Sequence, residues 1–586
     1  MTEDSSPPIN NQNSPEDQLN LTNEIDSKDE KAIKEIELIE SDDALDNTIT
    51  EQKINLPKKT HWFKSKKIYI PSIVIILIGL LFVLPYTRYA ILGQFLSEKY
   101  SITLVDSQTM QPVIGGVVNV GGKIFTSDNS GKVTLKIKVG NKKIFITKKY
   151  YAALQTKIFV PVSQKKSLTI SLVATGRQVS VLVTNKIGKN PVPDVIVSGS
   201  GSSGRTNSSG LAYLVLPTDK KIVSGSLSGS GFIKQTISIN LSGVNNYSIV
   251  PSGSIYYLSN TSGKVDVVKS NLDGSNQTTV LEGNSSEGIY NTALYPSKDW
   301  NYLGLVANRN NLHPCLSIIQ VSNNANYIVD STNGNYNVVG WDSNNNLIYT
   351  VQNNNLPSGS IGEYELKSYN SSTNLTKVLY QTGSQTIGVN TVNEMFDSVN
   401  LLPNNSVIYS TSWVGNTSLF SGLIMNVTVI NDNNTGQKTL QQFTQSNFSS
   451  LINAHFSSPS SLIFWLYPLN GNIANYYHYV NDQLEPVSSS SSIIANLFST
   501  PNNYYLSASG SNVTYSNNVN GHSAIYSADS KGNNPKQLAL LDNTFSPYAW
   551  YTDNYIILNK NYNEFYILPS SGVTDQPDLL KISDHL

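Results

Sequence analysis

TALYPSKDWNYLGLV (292–306) reads as a hairpin: an apolar, aromatic start, a small polar turn, then an apolar strand. Five further stretches repeat the pattern: VVGWDSNNNLIYTV (338–351), SVNLLPNNSVIYS (398–410), NAHFSSPSSLIFW (453–465), NLFSTPNNYYLSA (496–508) and YAWYTDNYIIL (548–558). Their starts step by 46, 60, 55, 43 and 52 residues. One propeller blade with loop insertions takes about 40–50 residues, so 251–586 predicts a β-propeller of six blades, with seven as the alternative. Ile255-Tyr-Tyr-Leu258 at the front is expected to pair with strands from the C-terminus and close the ring, because closure removes exposed sheet edges.

Two more stretches, VKSNLDGSNQ (268–277) and IYSADSKGNNPKQL (525–538), read as a second kind of hairpin. Together with the six hairpins above they resemble the TolB-type propeller family, whose blades carry Phe-Ser-Pro-Asp-Gly-x-x-Leu-Ala-Phe and Ile-Tyr-x-x-Asp-x-Asp-Gly-x-Asn-x-x-x-Leu hairpins. The chain departs from that pattern where Asp-Gly becomes Asn-Asn or Ser-Ser. The resemblance implies a ring fold and no particular chemistry.

Ahead of the ring lies a second repeat. ITLVDSQTMQPVIGGVVNVGGKIFTSDNSGKVTLKIKVG (102–140) and VSVLVTNKIGKNPVPDVIVSGSGSSGRTNSSGLAYLVLP (179–217) both place Pro-Val 19 residues before a glycine, Pro112 before Gly131 and Pro191 before Gly210. The offset between copies is 79 residues, the mark of two copies of one unit. Each reads as short strands joined by Asx and glycine turns, the glycine supplying a positive φ. The pattern resembles the carboxypeptidase-regulatory-like module, matched in copy one by Val105-Asp106 and by Tyr150-Tyr151 and departed from in copy two at Thr184-Asn185. That resemblance implies two small prealbumin-like β-sandwiches, at 100–174 and 175–250, acting as spacers or binding modules. Asp106 and Asp128 are read as turn caps in preference to calcium ligands.

Upstream, residues 68–87 hold no charge between Lys67 and Arg88. Twenty uncharged, mostly apolar residues at about 1.5 Å each span a hydrocarbon core of about 30 Å, and only a helix satisfies its own backbone there. Lys58, Lys59, Lys64, Lys66 and Lys67 flank its N-terminal side, so the positive-inside rule leaves the N-terminus cytoplasmic and exports the chain from about residue 88 onward. Trp62, Tyr69, Tyr86 and Tyr89 suit the two interfaces. The expected anchor is a single pass in the cell membrane, preceded by a basic segment at 57–67 and followed by a short helical stalk at 88–99. Residues 1–56 carry 15 Asp/Glu against 4 Lys and no aromatic residue, and are read as a disordered cytoplasmic tail. Within it, Ile33, Ile36 and Ile39 line one side of a short helix that could form over 31–45, read as a solvated helix or plain disorder, with a partner-binding segment as the alternative.

The single cysteine, Cys315, excludes an intramolecular disulfide, which fits a prokaryotic cell surface. No Gly-x-Ser-x-Gly, Walker, His-Glu-x-x-His or CxxC motif is present. His313, His455, His478 and His522 show no ligand spacing, and Asp432-Asn-Asn-Asn-Thr-Gly436 lacks the closing glutamate of a calcium loop. Catalytic, metal and cofactor residues are therefore expected to be none, and binding residues stay unassigned. Lys142, Lys143, Lys148, Lys149, Lys165 and Lys166 read as solvated lysines that guard strands against aggregation, with a wall polymer as the alternative occupant. A nearly neutral exported region argues against nucleic acid. The expected function is surface recognition of a protein or glycan by the propeller. The alternatives are a single-span sensor reporting through the acidic tail, and a hydrolase or lyase in the propeller funnel.

Overall fold

The computed structural model describes residues 73–76, 79 and 85–584, apart from short stretches at 164–165, 286, 289, 310–312, 415–422, 448–451, 469–470, 498–500, 502, 562–563 and 574–578. The predicted tail, the basic segment and most of the predicted span lie outside these residues. Among the described residues no helix is long and apolar enough to cross a membrane.

A helix, Pro85–Phe95, leads into the first strand, Ser97–Asp106. The stalk expected to reach residue 99 therefore stops at Phe95. Leu96 already packs on the sandwich core with Tyr89 and Leu92, so the chain turns extended as soon as there is a sheet to join.

Two units of identical strand order come next. In the first, Lys132–Lys138, Ser97–Asp106 and Leu168–Leu172 form one sheet, and Lys123–Thr126, Val117–Val120, Gly140–Thr147 and Leu154–Val160 the other. In the second, Leu211–Leu216, Arg177–Asn185 and Asn246–Ile249 face Ser202–Arg205, Ile196–Gly199, Ile222–Ser228 and Gln235–Asn240. Strict alternation along Lys132–Lys138 buries Val133, Leu135 and Ile137 and exposes Lys132, Thr134, Lys136 and Lys138. One apolar cluster spans both sheets of each unit, which makes each a β-sandwich.

The 79-residue offset recurs in the geometry. Ser127 Oγ donates to Val113 O at 2.6 Å, and Thr206 Oγ1 to Val192 O at 2.7 Å. Gly131 and Gly210 both sit at φ +72, where a Cβ would meet a carbonyl oxygen 2.5 Å away. Asp106 Oδ1 accepts from the Gln108 and Thr109 amides, and Asn185 Oδ1 does the same for Ile187 and Gly188. Asp128 and Asn207 repeat that equivalence at the next turn. Because an amide serves where a carboxylate does, these positions cap turns.

Residues 254–584 form seven consecutive antiparallel sheets. Blade one has three strands, Ser254–Ser259, Asp266–Asn271 and Thr278–Leu281. Blades two, three, five, six and seven have four each, starting at Ala293, Gly334, Asn453, Tyr505 and Phe545. Blade four has five, from Ser384–Ile387 to Lys438–Thr444. Five of the six predicted hairpins fall at their predicted residues in the larger sheets, and among the described residues the sheets number seven, the alternative to six.

Two further expectations are corrected. Ile255-Tyr-Tyr-Leu258 pairs with its own neighbour, Asp266–Asn271, and not with the C-terminal strands, which complete blade seven among themselves. The hairpin read at 496–508 lies further on, between Tyr505–Leu506 and Asn512–Val519.

Among the described residues, blade one lacks an inner strand. Ser254–Ser259 has the burial of the second strand of blade two, Tyr302–Ala307, and the Asn271 to Ser275 turn matches the outer hairpin of blade six. The ring closes instead by packing: Tyr257, Val267, Leu303 and Leu305 share one cluster with Ile557, Phe565 and Ile567 of blade seven. Across this junction Trp300 Nε1 donates to Trp550 O at 2.7 Å, and Tyr548 OH to Leu294 O at 2.7 Å. Arg309, from blade two, clasps blade one: it pairs with Glu287 at 2.5 Å and donates to the carbonyls of Val265, Leu281 and Glu282. Ile187 and the Asn185 Nδ2 to Tyr555 OH bond, 3.1 Å, join the second sandwich to the ring.

Candidate functional site

The turns between first and second strands and between third and fourth strands gather at one end of the ring. There a cleft of about 900 Å3 opens across blades four, five and six. Blade four supplies Leu402 to Asn404, blade five its Ser457 to Ser461 turn and His478 to Asp482, and blade six Gly510, Ser530 and Lys531. A short helix, Ser492–Ala495, capped by Ser491, brings Ile493 to the wall.

One wall of the cleft carries Ser457, Ser461 and His478. Ser461 Oγ lies 2.7 Å from Tyr479 O, which can only accept, so the single hydroxyl proton goes there. The lone pairs of Ser461 Oγ then receive Ser457 Oγ at 3.1 Å and His478 Nε2 at 2.5 Å. His478 must therefore carry its proton on Nε2. Burial lowers its pKa from the ordinary value, the opposite strand's Glu485 acting against that, so at neutral pH the ring is an uncharged donor. A serine whose proton is committed to a carbonyl is not activated as a nucleophile. The wall is a fixed hydroxyl and imidazole array, and among the described residues the only charged lining groups are Lys531 and Asp482. Such a lining suits an uncharged polyhydroxylated ligand, held by many directional hydrogen bonds.

The same end holds an acid pair, the buried Asp342 beside the half-buried Asp432. Asp342 Oδ1 accepts from the Asn344 and Asn346 amides, while Asn346 Nδ2 bridges Asp342 Oδ2 at 2.8 Å and Asp432 Oδ2 at 2.7 Å. Burial and the neighbouring Asp432 push the Asp342 carboxyl up to about 6. Asp432 thus links blade four to blade three, in addition to the turn chemistry read from the sequence, Asn433 Oδ1 accepting from the Thr435 amide at 3.2 Å. In blade four Asp397, half-buried and within the field of Glu394, is raised to about 7, chiefly by desolvation.

The ring does not gather the four histidines. His313 Nδ1 lies against Pro314 O, His455 Nδ1 against Phe456 O and His522 Nδ1 against Asn520 O, and only His478 reaches the cleft. Among the described residues no three metal-type side chains cluster. Sequence reading missed Ser457, Ser461 and Ile493 because they lie in turns of an Asn- and Ser-rich chain, where no spacing sets them apart.

No protein-family model matches the chain, and no curated protein matches it. Among solved structures, an oligogalacturonate lyase in complex with manganese aligns at 12% identity and TM-score 0.33, covering 54% of this chain and 86% of that one. The β-propeller domain of the trilobed protease from Pyrococcus furiosus aligns at 9% identity and TM-score 0.31, covering 63% and 94%. TolB from Acinetobacter baumannii aligns at 12% identity and TM-score 0.26, covering 58% and 78%. Likenesses at these scores carry no argument about this chain. The ring rests on the strand order and packing above, and what those proteins bind or cleave stays with them.

Proposed function

We propose that this chain is a membrane-anchored cell-surface recognition protein whose propeller binds a neutral glycan in the cleft of blades four to six. In this reading residues 68–87 are a single span with a cytoplasmic N-terminus, the sandwiches are spacers of the carboxypeptidase-regulatory-like type, and the propeller is a TolB-type head. The observation that carries it is the Ser457, Ser461 and His478 array: uncharged polar groups fixed in place by bonds to one another, lining a cleft wide enough for a few sugar rings. The reading is non-catalytic because Ser461 spends its proton on Tyr479 O.

The topology is tested on intact cells producing the full chain with an epitope at each end. Antibody should reach the C-terminal epitope directly and the N-terminal one only after permeabilisation. The opposite pattern, or a C-terminal epitope hidden until lysis, overturns the surface reading.

A further inference from the structure

We infer that the outer face of the first sandwich's four-stranded sheet lies on an anionic lipid surface. This inference rests on the membrane anchor proposed above and adds to it a second, peripheral contact.

The outward row of that sheet is unusual for a strand surface exposed to water. Ile124 is 68% exposed and Phe145 and Phe159 are each 46% exposed. Between the two phenylalanines, Lys143 and Lys157 stand directly opposite one another on adjacent antiparallel strands. Like charges in that position repel, and nothing in the four strands offsets them, since they contain no Asp or Glu. The surrounding unit is strongly basic: residues 97–174 hold 12 Lys against Glu98, Asp106 and Asp128, while residues 251–586 hold 11 basic and 21 acidic side chains. An exposed aromatic and aliphatic row interleaved with unpaired lysines matches the interface of an anionic bilayer, where rings sit at headgroup level and lysines meet lipid charge. A soluble polyanion would satisfy the lysines and leave the phenylalanines in water.

Chain continuity supplies the second argument. The helix Pro85–Phe95 begins where the apolar stretch ends, and its Tyr89 ring meets Phe159 edge-on at 4.7 Å. Tyr89 O also approaches Gly140, where a Cβ would sit 3.2 Å away, so the helix is seated closely against this sheet.

The test uses the full chain in nanodiscs, with a polarity-sensitive dye on Gln155→Cys or Asn141→Cys, positions opposite Phe145 and Phe159. Cys315, the one native cysteine, is buried. In discs containing anionic lipid and a lipid-borne quencher, both dyes should be quenched several-fold more than a dye on Leu540→Cys in the propeller. High salt or K143E/K157E should remove the difference. Equal quenching at all three sites overturns the inference, and so does a blue shift without lipid quenching, which means that protein covers the face. Alkaline extraction of the same discs separates the two claims: release of the protein sinks the anchor itself, whereas retention with unquenched dyes sinks only this contact.

Discussion

Trp300 Nε1 of blade two donates to the main-chain oxygen of Trp550 in blade seven, 2.7 Å away, reaching past blade one, which stands between them in the order of the ring. Trp341 Nε1 makes the same kind of bond to Tyr295 O, and Trp550 Nε1 to Tyr505 O. Those two braces join consecutive blades. The Trp300 brace joins the ring's ends because blade one has no inner strand to interpose. Closure by side chains and packing, without a shared strand, makes this junction the place where the ring opens first.

Trp300→Phe keeps the apolar ring and deletes the donor, leaving a buried carbonyl unpaired, a loss of about 1–3 kcal/mol. Denaturant unfolding followed by Trp fluorescence should show a lower midpoint for the propeller transition, with limited proteolysis cutting first in the blade one region. Trp341→Phe should lower the midpoint without moving the first cut. Identical cleavage patterns for the two variants would contradict the junction's special role.

Glu287 is fully buried and Arg309 nearly so, and the guanidinium also holds three main-chain oxygens of blade one. Removing one partner of a buried pair costs about 3–5 kcal/mol, because the other charge is stranded. Arg309→Met should be that severe, and Arg309→Met with Glu287→Gln should recover part of the loss. A double variant no better than the single one would show that the carbonyl clasp, and not the charge pair, dominates.

The Asp342 carboxyl is raised to about 6 and that of Asp397 to about 7, both above the ordinary Asp value. The folded state then holds protons that the unfolded state has released. This stabilising contribution is complete below about pH 4 and is lost as pH rises through 6 to 7. The propeller should therefore be more stable at pH 5 than at pH 7.5, by about 1–3 kcal/mol per group. Asp432→Asn should raise the midpoint at pH 7.5 and flatten the profile, because Asn346 keeps an acceptor while the second charge disappears. A Tm rising steadily from pH 5 to 7.5 would contradict the assignment.

Gly131 and Gly210 have the same φ and the same close carbonyl. Alanine at either should cost at least about 1–3 kcal/mol, since it pairs a left-handed backbone with a clash. Each substitution should lower the melting of its own sandwich by a similar amount and leave the propeller transition in place, which calorimetry resolves.

The 79-residue repeat was legible because its marks, Pro112 with Gly131 and Pro191 with Gly210, are turn residues with no substitutes of equal geometry. Blade one's missing strand was legible in principle. Only residues 250–253 separate the last sandwich strand from Ser254, too few for a strand and its turn. The hairpin read at 496–508 was misplaced because the same apolar, small, polar order occurs twice within ten residues. Leu506-Ser-Ala-Ser-Gly-Ser-Asn-Val513 fits the blade pattern as well as the earlier stretch, and packing against blade seven through the Trp550 to Tyr505 bond selects it. The cleft was illegible because Ser461 and His478 are 17 residues apart in chain and meet only through strand register.

The central claim is that the blade four to six cleft is the recognition site, and a glycan-array titration of the full chain in nanodiscs tests it most directly. Ile493 is 39% exposed on the cleft wall, so Ile493→Trp fills the cleft without disturbing a core. The account predicts saturable binding to uncharged glycans by the native chain, lost in Ile493→Trp at an unchanged melting profile. Binding that survives Ile493→Trp, or that tracks glycan charge instead of hydroxyl pattern, would contradict it.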